Sequence, residues 1–314
     1  MDQRLAILNS IRKISERLGY EVLCADPEFS YSFDLVLKSL KEILIVKIVP
    51  NAGFLTEEGS RSLISFARFI DAYPLVLSLQ NRNEKIEDGV VYTRHSLPIV
   101  SPGTFEDYLK DEEEPMVRAG PGGFYVSIDS AKLKKIREER TLSLGDIANA
   151  LGTTRRTILM YESGMSASIE TAFKMEEFLG EEIMSHVSFL WKIMDDKVQP
   201  NFKKMREFER LVNNELQKKG FLIYPFKKSI LNFLMEDQES LFLGGIEEEL
   251  LRFSRKMVSM QKLSEMTDMD SFLIVKKVRE KPSKDTVPII YYSELEEFQD
   301  KEEFKDVIRE RRNI

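Results

Sequence analysis

The stretch SLGDIANALGTTRRTILMYESG, Ser143–Gly164, decides the reading of this chain. Ser143 is a good helix N-cap, and Leu144, Ile147, Ala148 and Leu151 then recur at i, i+3, i+4 and i+7, the apolar face of an amphipathic helix. Gly152 stops that helix, because glycine takes the left-handed conformation at little cost. Only the turn GTT intervenes before Thr154 can cap a second helix, RRTILMYESG, with Ile158 and Tyr161 facing inward. Upstream, SAKLKKIREER reads as a helix capped by Asp129 or Ser130 with Leu133 and Ile136 on one side. Downstream, Ser168 caps IETAFKMEEFLG, which buries some combination of Ile169, Ala172, Phe173, Phe178 and Leu179. Residues 127–180 show no strand pattern, so this segment is expected to be all-α.

A short helix, a tight turn and a second helix with a basic N-terminus form the helix-turn-helix design. Small Ala148 lets the two helices approach, and the polar start of the second is free to enter a major groove. The matching residues, LSLGDIANALG-TTRRTI-YESG with REER upstream, resemble the Cro and lambda-repressor type of this motif. The resemblance implies that Thr153, Thr154, Arg155, Arg156, Thr157 and Met160 contact double-stranded DNA. The threonine hydroxyls would meet phosphates and the arginines base edges or phosphates; Met160 would meet a thymine methyl or else fill space at the surface or between helices. Arginines at a helix N-terminus oppose the helix dipole, so helix stability alone does not account for Arg155 and Arg156. The resemblance also implies a structural ion pair between Arg137 and Glu162. One departure stands out: Leu144 occupies a position that is commonly a phosphate-contacting Gln in that family. Lys132, Lys134, Lys135 and Arg140 divide between phosphate contacts and a solvated face.

Outward from this centre, two stretches read as linkers. KDEEEPMVRAGPGG combines an acidic run with two prolines and three glycines, and DDKVQPN carries Pro200. They divide the chain into an α/β domain at 1–112, a linker at 113–126, the helix-turn-helix domain at 127–194 and a second α/β domain at 201–314. In the first, FDLVL, ILIVKIV, PLVLSL, GVVYTR and LPIVS read as strands between helices, giving a sheet buried on both faces. The last part repeats this order. ERLGY (Glu16–Tyr20) parallels QKKGF (Gln217–Phe221), and SFDLVLKSLKEILIVKI lies over ILNFLMEDQESLFLGGI without a gap. LISFARFI parallels LLRFSRKM, and LPIV parallels VPII. The fold class is therefore multidomain, an all-α helix-turn-helix domain flanked by two similar α/β domains. The whole plan, with GFYVSID and EDGVVYTRHSLPIVSPGTFEDYL, resembles a group of archaeal transcriptional regulators with a central Cro-type motif.

The α/β domains raise a second chemistry. Asp34 on one strand and Lys47 on the next resemble the metal-nuclease arrangement of the restriction-endonuclease-like fold. That chemistry needs a carboxylate two residues before the lysine to hold Mg²⁺. Ile45 stands there, and the corresponding positions of the other copy are Asn232, Leu243 and Gly245. A degenerate, inactive version of that fold is the expectation.

Composition removes other classes. The single Cys24 forbids an internal disulfide or a cysteine zinc cluster, and His95 and His186 form no zinc-enzyme spacing. GPGG lacks the strand-to-helix context of a phosphate cradle. No cofactor is expected. No run approaches a membrane span, and MDQRLAILNSIRKISERLG lacks the features of a signal peptide, so a cytoplasmic protein is expected. The net charge of −7 does not exclude DNA, because the DEEE run supplies the largest local deficit. Residues 127–180 hold as many bases as acids, which points to a small electrostatic footprint. Ile183, Val187, Leu190, Trp191 and Met194 fit a helical stripe that would serve as a homodimer seam or pack on its own chain. The flanking domains would then sense a small-molecule or protein effector. The alternatives are a divergent metal-dependent nuclease, or an adaptor whose motif contacts a protein.

Overall fold

Two hydrophobic patterns alternate along this chain: continuous β-branched runs that must be covered on both faces, and amphipathic stretches that cover them. The computed structural model describes residues 2–25, 32–193, 205–226, 229–238, 240–249, 254–277 and 287–312. The elements run α1 (Gln3–Arg17), β1 (Glu21–Cys24), β2 (Leu35–Lys38), β3 (Ile43–Ile48), a 3₁₀ turn at Ala52–Phe54, α2 (Glu57–Phe69), β4 (Tyr73–Leu77), β5 (Gln80–Asn81), β6 (Glu84–Lys85), β7 (Val90–Arg94), β8 (Leu97–Val100) and α3 (Pro102–Asp111). The middle holds β9 (Val117–Gly120), β10 (Gly123–Ile128), α4 (Ser130–Glu139), α5 (Leu144–Leu151), α6 (Arg155–Tyr161), β11 (Ala167–Ser168), α7 (Ile169–Leu179) and β12 (Met184–Ser185). Then follow α8 (Glu207–Lys218), β13 (Leu222–Pro225), β14 (Phe233–Glu236), β15 (Leu241–Glu249), α9 (Ser254–Thr267), β16 (Asp270–Lys277), β17 (Ile289–Tyr291), α10 (Tyr292–Glu297) and α11 (Lys301–Arg312).

By packing, the chain forms two compact units that interleave in sequence. One gathers Met1–Ile14, Ile48–Ser60 and Pro74–Lys192; the other gathers Ser15–Lys47, Arg61–Tyr73 and Ile193–Ile314. In the first unit β4 and β8 are parallel, β8 pairs antiparallel with β7, and β9 lies parallel to β7. β10 then pairs with β9, and both β11 and β12 attach to β10. The helix-turn-helix is thus joined to its unit through strand pairing.

In the second unit β1, β2 and β3 form an antiparallel meander. β13, β14 and β15 form another, extended by parallel β16 and β17. The two meanders match in register. Leu35 pairs with Val46 and Val36 with Ile45; in the later meander Phe233 pairs with Gly244 and Leu234 with Leu243. The Asp34 N–H donates to the Val46 carbonyl at 2.8 Å, and the Asn232 N–H donates to the Gly244 carbonyl at 2.9 Å. The later core is aromatic: Phe208 and Val212 of α8 pack with Phe233, Phe242, Phe272 and Phe304. Phe33 stacks on Phe66 at 5.1 Å, and Phe69 meets Tyr224 at 4.6 Å.

Three expectations from the sequence change. Residues 113–126 are not a plain linker, because Val117–Gly120 and Gly123–Ile128 form a hairpin. The glycines that suggested flexibility make its turn: Gly122 has φ +87°, and a Cβ on Gly120 would lie 3.1 Å from the Tyr125 ring. The helix-turn-helix segment is not purely helical, since Ala167–Ser168 and Met184–Ser185 pair with β10. Nor is there a helix over the described part of the stripe 183–194. Its backbone is extended, with the Val187 N–H donating to the Pro115 carbonyl and Ile183, Val187 and Phe189 buried. Met194 and the second expected linker lie outside the described residues.

Candidate nucleic-acid interface

Local chemistry fixes the motif. Asp129 caps α4, its carboxylate accepting from the Lys132 N–H at 2.9 Å. At the start of α5 Ser143 and Asp146 form a capping box: the Ser143 N–H donates to Asp146 at 2.7 Å, and the Asp146 N–H donates to the Ser143 hydroxyl at 3.2 Å. These bonds, the side-chain bond from Ser143 first, hold the Asp146 carboxyl below its ordinary value, with Arg155 adding a smaller charge effect. Gly152 ends α5 at φ +64°, and the Thr153 N–H returns to the Ala148 carbonyl at 2.9 Å. Thr154 then caps α6, accepting from the Thr157 N–H at 3.2 Å. Ala148, Ile158 and Tyr161 are buried in one core with Leu133, Ile136 and Ile147.

The six residues singled out from the sequence all lie on this turn and helix. Thr154, Arg155, Arg156 and Met160 are exposed, and Thr153 and Thr157 are half-buried. Their side chains diverge. Arg156 and Met160 stand one helical turn apart on the same exposed face, and neither has a polar partner among the described residues. Arg155 instead folds back over α5: a Cβ added at Gly145 would lie 3.0 Å from its Nε. The Thr154 and Thr157 hydroxyls bond each other at 2.9 Å. Sequence reasoning missed Leu159, which is 52% exposed beside them, and Phe173 of α7, 59% exposed. Both sit at helical spacings that also suit a core. Arg140 belongs to the scaffold, donating to the Leu179 carbonyl and to Glu181.

The scaffold pair is present. Arg137 grips Glu162 through two bonds, Nε to Oε1 at 2.6 Å and Nη2 to Oε2 at 3.0 Å, with the Glu162 side chain only 4% exposed. The bond that Arg137 donates to Glu162 is the main reason that its guanidinium is held above its ordinary value. Glu162→Ala leaves a half-buried guanidinium without its fork, and a loss of about 2 kcal/mol is expected. Thermal melts of the variant, with hydrogen exchange at α4 and α6, check it.

The endonuclease-type positions are also placed. Asp34 is fully buried, with Lys47 Nζ 3.3 Å from its carboxylate, and Ile45 is buried. In the later meander Asn232 Oδ1 accepts from the Ile246 N–H at 3.0 Å and from Lys256 Nζ at 2.9 Å. Burial is the main cause that draws the Lys256 ammonium below the ordinary lysine value. Neither donor set fits a divalent cation. At the three motif positions the first offers one carboxylate, Asp34, beside the Lys47 ammonium. The second offers the neutral Asn232 amide, which accepts from Lys256 and donates to Glu209 at 3.3 Å. Lys256 also lies 3.8 Å from Glu247, so the neighbouring carboxylates already face a cation or an amide. No cluster of three or more metal-ligating side chains occurs among the described residues.

Comparison with known proteins covers both regions. Residues 133–184 match a helix-turn-helix family model, and residues 4–115 match a PD-(D/E)XK superfamily domain. A Natronomonas pharaonis protein is 31% identical over 313 residues, covering 98% of each chain. Relatives from Picrophilus torridus and Pyrococcus horikoshii are each 30% identical, over 99% and 98% of both chains. All three carry the name "Putative HTH-type transcriptional regulatory protein". No solved structure matches the chain. With similarity running end to end and the motif folded as its residues require, the chain belongs to this family of archaeal helix-turn-helix transcriptional regulatory proteins.

Proposed function

We propose that the chain is a sequence-specific DNA-binding transcriptional regulator in which α6 lies in the major groove of double-stranded DNA. The observation that carries this reading is the exposed face of α6. Arg156 and Met160 point outward from a helix whose other side is locked by Thr154, Ile158, Tyr161 and the Arg137–Glu162 pair. Arg156 can take guanine O6 and N7 in a fork, and Met160 one turn on can meet an apolar edge. Arg155 acts nearer α5, on the flanking backbone. Thr153, Thr154 and Thr157 meet phosphates at the turn. Arg156→Ala is expected to lose about 2 kcal/mol of discrimination between the selected duplex and one altered at a single guanine, while the fold is retained. Competition binding reads it, and an unchanged ratio places the reading head elsewhere.

The reading includes a homodimer spanning two half-sites about 34 Å apart. Phe173 and Phe178, exposed at 59% and 42%, favour a second copy over open solvent. Around the motif, the two α/β regions are taken as copies of one unit, on the strength of their shared register. A small-molecule or protein effector would act through them. A metal-dependent nuclease is the second reading, favoured only by the PD-(D/E)XK match. Because Ile45 and Asn232 stand where carboxylates would be needed, duplex DNA is expected to survive incubation with Mg²⁺ or Mn²⁺. Specific cleavage abolished by Asp34→Ala would reverse that assignment.

A further inference from the structure

A second group of cations, outside the helix-turn-helix but in the same unit, carries an unassigned role. It is assembled from the turn at 51–55, the β5–β6 and β7–β8 turns, β9 and the segment after β12. The Asn51 amide donates to the Arg82 carbonyl at 2.8 Å, and its oxygen accepts from the Arg82 N–H at 2.9 Å. These bonds lay the Arg82 side chain over Gly53, where a Cβ would lie 3.2 Å from Arg82 Cγ. The Gly53 carbonyl accepts from Arg94 Nη2 at 3.3 Å, and the Leu55 carbonyl accepts from Arg94 Nε at 3.3 Å and lies 3.2 Å from His95 Nε2. Next along, Trp191 donates to the Ser96 carbonyl at 3.3 Å, and Arg118 lies over the Trp191 ring at 5.8 Å.

The group is costly to assemble. Arg82, His95 and Ser96 all sit at positive φ, +60°, +48° and +66°, a backbone conformation uncommon for residues other than glycine, though histidine adopts it more readily than arginine or serine. Among the described residues, none of Arg82, Arg94 and Arg118 makes an ion pair, although the chain carries more acids than bases. Phe54 stands out from the same turn at 79% exposure. Guanidinium groups gathered on one surface, with their stems held by backbone carbonyls and an aromatic ring, suit the phosphate oxygens of a polyanion.

We propose that this basic-aromatic surface binds the phosphodiester backbone of the duplex, giving the chain a contact that is independent of base sequence. The inference rests on the DNA-binding reading and answers a shortfall in it. The helix-turn-helix segment holds no excess of bases, so α6 alone neutralises few phosphates. Guanidinium forks suit phosphate oxygens, and each neutralised phosphate adds about 0.9 to the salt slope of B-DNA binding.

The test uses the full chain and a fluorescein-labelled 30-base-pair duplex of arbitrary sequence, titrated at several salt concentrations. Arg82 and Arg118 are exposed, so Arg82→Ala with Arg118→Ala is expected to fold normally. It should lower affinity about tenfold at low salt and reduce the slope of log K against log salt by about 2, while the preference for a selected sequence stays intact. Arg156→Ala should do the reverse. An unchanged slope in the double variant overturns the surface proposal and leaves α6 as the reader. A wild-type chain without salt-dependent affinity for any duplex overturns both.

Discussion

Gly244→Val is expected to destabilise the second unit by about 3 kcal/mol, and Phe233→Leu in the same chain to restore most of it. A Cβ on Gly244 would lie 2.2 Å from Phe233 Cζ and 2.3 and 2.6 Å from its two ε-carbons. The ring cannot swing away, because Phe233 is buried and meets Phe272 edge-on at 5.7 Å. Overpacking of a closed core costs about 1–3 kcal/mol, and three simultaneous overlaps place this change at the upper end. The other meander shows the alternative solution. There the corresponding pair is Leu35 opposite Val46, so the same space is shared by two middle-sized side chains. Chemical unfolding of both variants, followed by circular dichroism and by hydrogen exchange in β14 and β15, measures the coupling. If the double variant is no more stable than Gly244→Val, the two meanders do not share one packing scheme.

Lys305→Met is expected to cost about 3–4 kcal/mol. The Lys305 side chain is 5% exposed and lies 2.7 Å from Asp237, itself 2% exposed, and 2.9 Å from Glu302. The substitution removes the positive charge that lies 2.7 Å from the buried Asp237 carboxylate, and breaking one side of a buried pair costs more than the pair contributes when intact. The bond to Asp237, then that to Glu302, holds the ammonium above its ordinary 10.5. A folded pKa above the unfolded one stabilises the protein fully below the unfolded value. That contribution is lost as pH rises through the folded value. Wild type should therefore lose stability as pH climbs past 10.5, and Lys305→Met should lack this component. Parallel alkaline losses in the two proteins would place the titrating group elsewhere.

The part of the chain legible in sequence is the part whose instructions are local. Ser143, Gly152 and Thr154 each satisfy backbone groups within a few residues, so the caps, turn and helix starts of the motif follow from reading alone. The β2–β3 and β14–β15 strands are legible for a related reason, since their β-branched and aromatic runs leave no other means of burial. The hairpin at Val117–Ile128 was hidden because its glycines serve a turn and a close ring contact, while composition suggested a linker. The stretch after Met184 misled because Ile183 and Val187 are spaced like a helix face, yet their backbone groups pair with Asp129 and Pro115. Within the candidate site, the sequence treated Arg155 and Arg156 alike. The small residue that separates them is Gly145, which lets Arg155 lie against α5. The surface around Gly53 was beyond sequence reasoning altogether, because five separate segments supply it.

The most direct measurement is selection of bound fragments from the source genome by the full chain, followed by competition of the selected duplex against a scrambled one across salt concentrations. Binding should be salt-dependent, with the selected duplex preferred by roughly 10³-fold or more at physiological salt. Fragments recovered without a common sequence, or equal affinity for the selected and scrambled duplexes, would contradict a reading helix at Arg155–Tyr161.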